Sequence, residues 1–505
     1  MKNIFNKNTI AVCCITIMML VSNCTNLTDH LSTDPVNITD GNQVPVPQFI
    51  SGVETSIIGI YEGDVARTTG MWASYFDGED RQYTGLGNYV TSGQDYDNEW
   101  VTIYTAVFNN TKIIKARSKV TNNNTAVGIA QVMEAMCIGT AADLWGDVPF
   151  TEIAKYPKIA TPKFDTQASV YAAAQVLLDS AIANLQLTGK LGAEDFFFNG
   201  DVTKWRAAAH TIKARLYLHT RDYANALVQA TSGISNASGN MMAPHNNSYG
   251  QTFNLYYSFL TYDRSGYMAA NSYAPTLLDP NGLNYRGNTK TNENGRFNYY
   301  YAPFAYWEGL NTSAIYDPNV VCAEDTGVPW TKSKADDGFF GCSTYFPIVT
   351  FQENALILAE SNAKLGNTQP AIDALNSLRV YYKSGAQFGV STTYISDPDL
   401  GGVQYDNYVV ADFASGGIEN TDNIAQGQAL LREILEERYI TFIGQIEGYN
   451  DMRRTGNFLK IPLVAGKSDF PRRLLYSQIE VNTNPNVPTT GVGLFDPVPS
   501  FKTPY

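Results

Sequence analysis

Between Ala359 and Leu378 the chain reads AESNAKLGNTQPAIDALNSL. A helix-forming run stops at Gly366-Asn367, and a second run follows with Ala371, Ala374, Leu375 and Leu378 on one face. KARLYLHTRDYANALVQATSGI, from Lys213 to Ile234, has the same outline, with Ala226 and Leu227 in the places of Ala374 and Leu375. Small residues at such positions let two helices approach closely, so Ala226 and Ala374 are expected where paired helices touch.

This helix-turn-helix grammar is that of tetratricopeptide repeats, although no steady period of about 34 residues runs through the chain. Helical spacing is also clear in Gln48–Tyr61 and in Glu99–Val120, where Trp100, Tyr104, Val107 and Ile114 form a stripe. Further helices are expected over Asn124–Trp145, Gln167–Leu187, Val202–Leu218 and Asp222–Ser235. Residues 236–350 and 383–423 are aperiodic and rich in Tyr, Asn, Gly and Pro, and inserts that long are usually functional. The expected fold is mainly α: tetratricopeptide-like helical pairs carrying long irregular loop inserts.

The N-terminus reads as an export signal. Lys2 and Lys7 precede an apolar core, Ile10–Val21, of about a dozen residues, whereas a spanning helix needs roughly 20. Val21-Ser22-Asn23-Cys24 resembles a bacterial lipobox, which implies that Cys24 carries lipid and residues 1–23 are removed. Residues 24–45 then form a polar tether, and residues 46–505 a single domain. No later segment is expected to cross a membrane. The formal charge of −13 argues against nucleic acid as a partner. Cys137 lies in an apolar helical run and is expected to be buried. Cys322 and Cys342 flank a polar loop and could be either a disulfide or two free thiols.

Chemistry is sparse. The four histidines are His30, His210, His219 and His245, without zinc-binding spacing, and no HExxH, GxSxG, phosphate-loop or GxGxxG pattern occurs. YFDGEDRQY, Tyr75–Tyr83, gathers Asp77, Glu79 and Asp80, which could in principle form a glycosidase pair. DYDNEW, Asp95–Trp100, lacks the glycine and closing glutamate of a calcium loop. Neither a metal nor a cofactor is expected. Aromatics point instead to binding. MWASYFDGEDRQY brings together Trp72, Tyr75, Asp77 and Arg81, and NYYYAPFAYWEGL holds Tyr306 and Trp307. Such side chains stack on sugar rings or peptide side chains, while Asp and Arg satisfy polar groups. These six are the candidate ligand residues. Trp100, Trp145 and Trp205 are expected in the core.

AMCIGTAADLWGDVPFTEI, Ala135–Ile153, resembles the helix and exit turn of SusD/RagB-family outer-membrane lipoproteins. KWRAAAHTIKARLYLHTRDY, YFPIVTFQENALILAESNAKLG, ERYITFIGQIEGYNDMRRTGN and PRRLLYSQIEVNTNPNVP resemble further family blocks in the same order. The Arg-Arg-Thr-Gly run is similar to that of a nutrient-binding SusD-like subgroup. Glu447, Arg453 and Arg454 are expected to lock a helix to the loops beside it. The resemblance implies a lipoprotein facing the cell surface. It would capture an oligosaccharide or oligopeptide and act as the lid of a SusC-like TonB-dependent barrel. A surface glycosidase and a protein-binding repeat scaffold are the rival readings.

Overall fold

The computed structural model describes residues 44–248, 252–302, 315–322, 337–389, 391–502 and 505. The principal helices are α1 (Val46–Glu62), α2 (Asp64–Trp72), α3 (Phe108–Val120), α4 (Asn124–Trp145), α5 (Gln167–Asn184), α6 (Val202–His219), α7 (Tyr223–Ala230), α8 (Phe351–Lys364), α9 (Thr368–Lys383), α10 (Gln426–Thr441) and α11 (Ile446–Arg454). Glu99–Val120 is helical as its spacing predicts, but a wide π-type turn at Thr102–Val107 interrupts it before α3. The strands are short and pair two by two, all antiparallel.

The expected helical pairs are present. Helix α8 turns into α9 through Gly366 at φ +80°, a left-handed conformation that suits glycine. Ala371, Leu375 and Leu378 are buried on α9. Ala374 is not: it sits only partly covered on the flank of the stripe, so the close contact falls to Ala371 instead. On α7, Ala226 is fully buried in a cluster with Ala214, Leu218, Ala230 and Ile357, where α6, α7 and α8 meet.

Helix α4 is buried along almost its whole length. By length and composition it could cross a membrane, which corrects the expectation that no later segment could, yet 89% of its apolar window is buried within the protein. Asn123 caps its start by accepting from the Ala126 amide, and Gly146 ends it. A Cβ at Gly139 would lie 2.8 Å from Leu216, so glycine is what lets α4 approach α6. Trp145 meets Trp100 edge to face at 5.3 Å, and the Trp205 indole donates to Asp195, so all three tryptophans are core residues. Cys137 is buried on the same helix. Cys322 and Cys342 are joined by a disulfide. Its sequence separation of 20 corresponds to about 3 kcal/mol of loop-closure entropy.

A lattice of buried charges fastens the helices. Arg215 of α6 holds Glu353 of α8 in a bidentate pair at 2.6 and 2.7 Å. His219 of α6 lies between Asp143 of α4 at 2.8 Å and Glu447 of α11 at 3.1 Å. Arg454 grips Glu360 at 2.6 and 2.7 Å, and Arg453 donates to the carbonyl of Asp143. Glu447 and both arginines therefore lock α11 mainly to other helices, not to the loops beside it as expected, and only Arg453 also reaches a loop, at the carbonyl of Arg472. Despite its burial, His219 is pushed up to about 9 by its two carboxylates.

Candidate ligand-binding cleft

Helix α2 ends at Trp72 and leads into a strand, Asp77–Gly78, paired with Met268–Ala269. Asp80 then caps the short helix Arg81–Gly87 by accepting from the Arg81 amide. These elements form one wall of a cleft of about 400 Å³. Asn271, Ser272, Tyr273, Thr276 and Asn284 form the second wall, and Pro462, Leu463 and Val464 the third. That volume lies in the usual range for small-ligand sites. By contrast, a charged hollow beside Arg286 holds about 70 Å³, room for roughly two waters.

Hydrogen bonds between distant segments hold the walls together. The Asn271 amide donates to Asp77 at 2.7 Å, and the Tyr273 amide donates to the Ser74 hydroxyl at 3.1 Å. The Val464 amide donates to the Tyr89 hydroxyl at 3.3 Å, and Asn284 donates to Thr276 at 2.8 Å. Asn271 in turn accepts from the amides of Ile315 and Tyr316. The cleft is thus assembled before any ligand arrives, which limits the entropy lost on binding.

Its electrostatics are acidic. Asp77 is pushed up to about 8, first by burial and then by Glu79 beside it. Asp317, fully buried, is pushed up to about 7 by burial and by the charge of Glu79. Neither carboxylate oxygen of Asp317 has a hydrogen-bond partner among the described residues.

The structure redistributes the six predicted ligand residues. Asp77 lines the cleft. Trp72 also borders it, but as a back wall: it is 1% exposed and its indole N–H donates to the carbonyl of Leu86. It offers no open platform for stacking. Tyr75 is a core residue at 0% exposure, its hydroxyl bonded to the Tyr439 carbonyl and its ring stacked on Tyr439 at 4.6 Å. Arg81 does not line the cleft. Its side chain is mainly exposed and lies 3.6 Å from Asp80 and over the Tyr267 ring. Tyr306, Trp307 and Cys24 lie outside the described residues.

Sequence reasoning missed Asn88, Tyr89, Asn271, Tyr273 and Asn284. For Asn271, Tyr273 and Asn284 the available signal was the density of Tyr and Asn in residues 236–350, which does not single out positions, and Asn88 and Tyr89 lie outside that stretch. As for catalysis, Asp80 caps a helix and is not part of the cleft wall, so it does not face Asp77 across the ligand space. Asp143, His219 and Glu447 form a tight buried trio, but each imidazole nitrogen is already engaged by its own carboxylate.

Helical pairs locked by buried charge, with a loop-built polar and aromatic cleft, define a scaffold made for recognition. The chain belongs to the SusD-like family described as starch-binding and associating with the outer membrane, whose profile matches residues 41–477. Among solved structures it is similar to a SusD/RagB family protein from Bacteroides thetaiotaomicron, at 20% identity over 92% of this chain and 98% of that one, with a TM-score of 0.63. A SusD homolog from Bacteroides uniformis is 19% identical over 91% and 99%, TM-score 0.63. A chitin-binding SusD homolog from Flavobacterium johnsoniae is 16% identical over 90% and 99%, TM-score 0.61. No curated protein matches the sequence.

Proposed function

We propose that this protein captures an oligosaccharide at the cell surface and delivers it to a SusC-like TonB-dependent barrel, held to the outer membrane by lipid on Cys24. The observation that carries this reading is the preassembled cleft of about 400 Å³, walled by Tyr89, Tyr273 and three asparagines. Aromatic faces suit the apolar faces of sugar rings, and amide side chains suit hydroxyl groups. The family description and the chitin-binding homolog support a glycan over a peptide.

The test is calorimetric titration of the soluble chain with neutral oligosaccharides and with oligopeptides. Tyr273 is half-buried in the cleft wall, so Tyr273→Ala should weaken oligosaccharide binding by up to about tenfold with little change in melting temperature. In cells, Cys24→Ala should release the protein from the membrane fraction. Binding of peptides but of no oligosaccharide would refute the glycan assignment, and membrane retention of the variant would refute the anchor.

A further inference from the structure

We infer that the cleft selects amino-sugar oligomers, with Asp77 pairing with a ligand ammonium group. The inference rests on reading the cleft as a glycan site and names which glycans it takes.

Charge in and around the cleft is one-sided. Among the described residues lining it, Asp77 is the sole carboxylate and there is no arginine, lysine or histidine. Two further acids act on Asp77. Glu79, two residues on along the chain, lies beside it, and Asp317 reaches it from the strand Asp317–Pro318. The Asn271 amide is the one backbone donor that answers Asp77.

Asp317 adds to the same negative field from behind the cleft lining, of which it is not part. A fully buried carboxylate with both oxygens unpartnered is costly, and native proteins seldom leave one so. Two buried acids at the helix junctions are treated differently: Glu353 and Glu360 each have a bidentate arginine. Among the described residues the acids at the cleft, like Glu54 on α1, lack a cation of their own. Arg81 is the near candidate, but its side chain extends along Asp80 and Tyr267. A protonated amine entering the cleft would hydrogen-bond to Asp77 and lie in the field of Glu79 and Asp317. The same field disfavours uronic acid and sulfated sugars. Because Asp77 is held mostly protonated at pH 7, pairing with an ammonium should ionise it and expel its proton.

The experiment titrates the full soluble chain at pH 7 with three hexamers: glucosamine (cationic), N-acetylglucosamine (neutral) and galacturonic acid (anionic). The expected order places the glucosamine hexamer at least about tenfold tighter than its acetylated form, and the galacturonate hexamer weakest. The advantage should shrink at high salt, and repeating the titration in buffers of different ionisation enthalpy should reveal proton release. Asp77→Asn should bring the cationic-to-neutral affinity ratio close to one. The salt series on the unaltered chain gives an answer even where that variant fails to fold. Equal or tighter binding of the neutral hexamer would overturn the charge selection while leaving the glycan reading intact. Failure of all three, together with neutral glucans, would overturn both. A lysine hexapeptide that outbinds the glucosamine hexamer would replace the amino sugar with a basic peptide.

Discussion

Glu54 offers a direct measurement of what a buried acid does to this fold. It lies on α1 with no exposed surface. One carboxylate oxygen accepts from the Phe196 amide at 3.0 Å, and the other has no donor and lies against Asp195. Asp195 in contrast accepts from the Phe198 and Gly200 amides and from the Trp205 indole. A proton on Glu54, donated to Asp195, satisfies the orphan oxygen. Burial first, and Asp195 second, push Glu54 from 4.5 up to about 11. Folding therefore takes up a proton. The stability from this group is complete below pH 4.5 and falls as pH rises towards 11, by about 1.4 kcal/mol per pH unit. From pH 5 to pH 8 that amounts to about 4 kcal/mol, a large part of an ordinary folding free energy. Glutamine reproduces the protonated shape: its amide can donate to Asp195 and its oxygen can accept from Phe196. Urea unfolding followed by tryptophan fluorescence at pH 5, 6, 7 and 8 should find Glu54→Gln within about 1 kcal/mol of the unaltered protein at pH 5 and progressively more stable above it. His219 titrates in the same direction, between 6.5 and about 9, but contributes to both proteins and cancels in the difference. Parallel pH profiles would refute the shared proton.

Two further predictions test the frame. Arg454→Met leaves Glu360 buried without its bidentate partner, while Asp451 keeps Arg438, and should cost about 3–5 kcal/mol in the denaturant midpoint analysis. Ala226→Leu and Ala371→Leu should each cost about 1–3 kcal/mol through overpacking, whereas Ala374→Leu, on the half-covered flank, should cost less than either; equal losses at 371 and 374 would contradict the observed helix contact.

The fold was legible because local chemistry repeats its signal. Gly366 at a left-handed turn, the Asn123 cap and the stop at Gly146 each mark a boundary that three or four residues suffice to reveal. The near miss at Ala374 has the same origin: alanines 371 and 374 are three apart, and only the partner helix decides which one is buried. The cleft was illegible for the opposite reason. Asp77 meets Asn271 and Tyr89 meets Val464 across 194 and 375 residues, on loops without period. Trp72 and Tyr75 misled because acids and an arginine follow them, while Trp72 is buried against Leu86 and Tyr449 and Tyr75 against Tyr439 of α10.

The arginine- and histidine-paired helix junctions and the cleft also treat charge differently, and this links stability to selectivity. Where helices meet, Glu353, Glu360 and Glu447 are buried beside arginine or histidine, so their ionised form is what holds the frame. Glu360 is accordingly lowered to about 2, chiefly by Arg454 against the penalty of burial. In the cleft, burial acts on Asp77 and Asp317 with acidic neighbours, and both are raised. Acidification to pH 5 should therefore leave the frame folded, because Glu360 keeps its charge well below that pH, while it completes the protonation of Asp77 and Asp317 and weakens the negative field at the cleft. Loss of amine selectivity at pH 5 with an unchanged melting transition is the signature of that division. A frame that melts before selectivity is lost would show that the two sets of carboxylates are not independent.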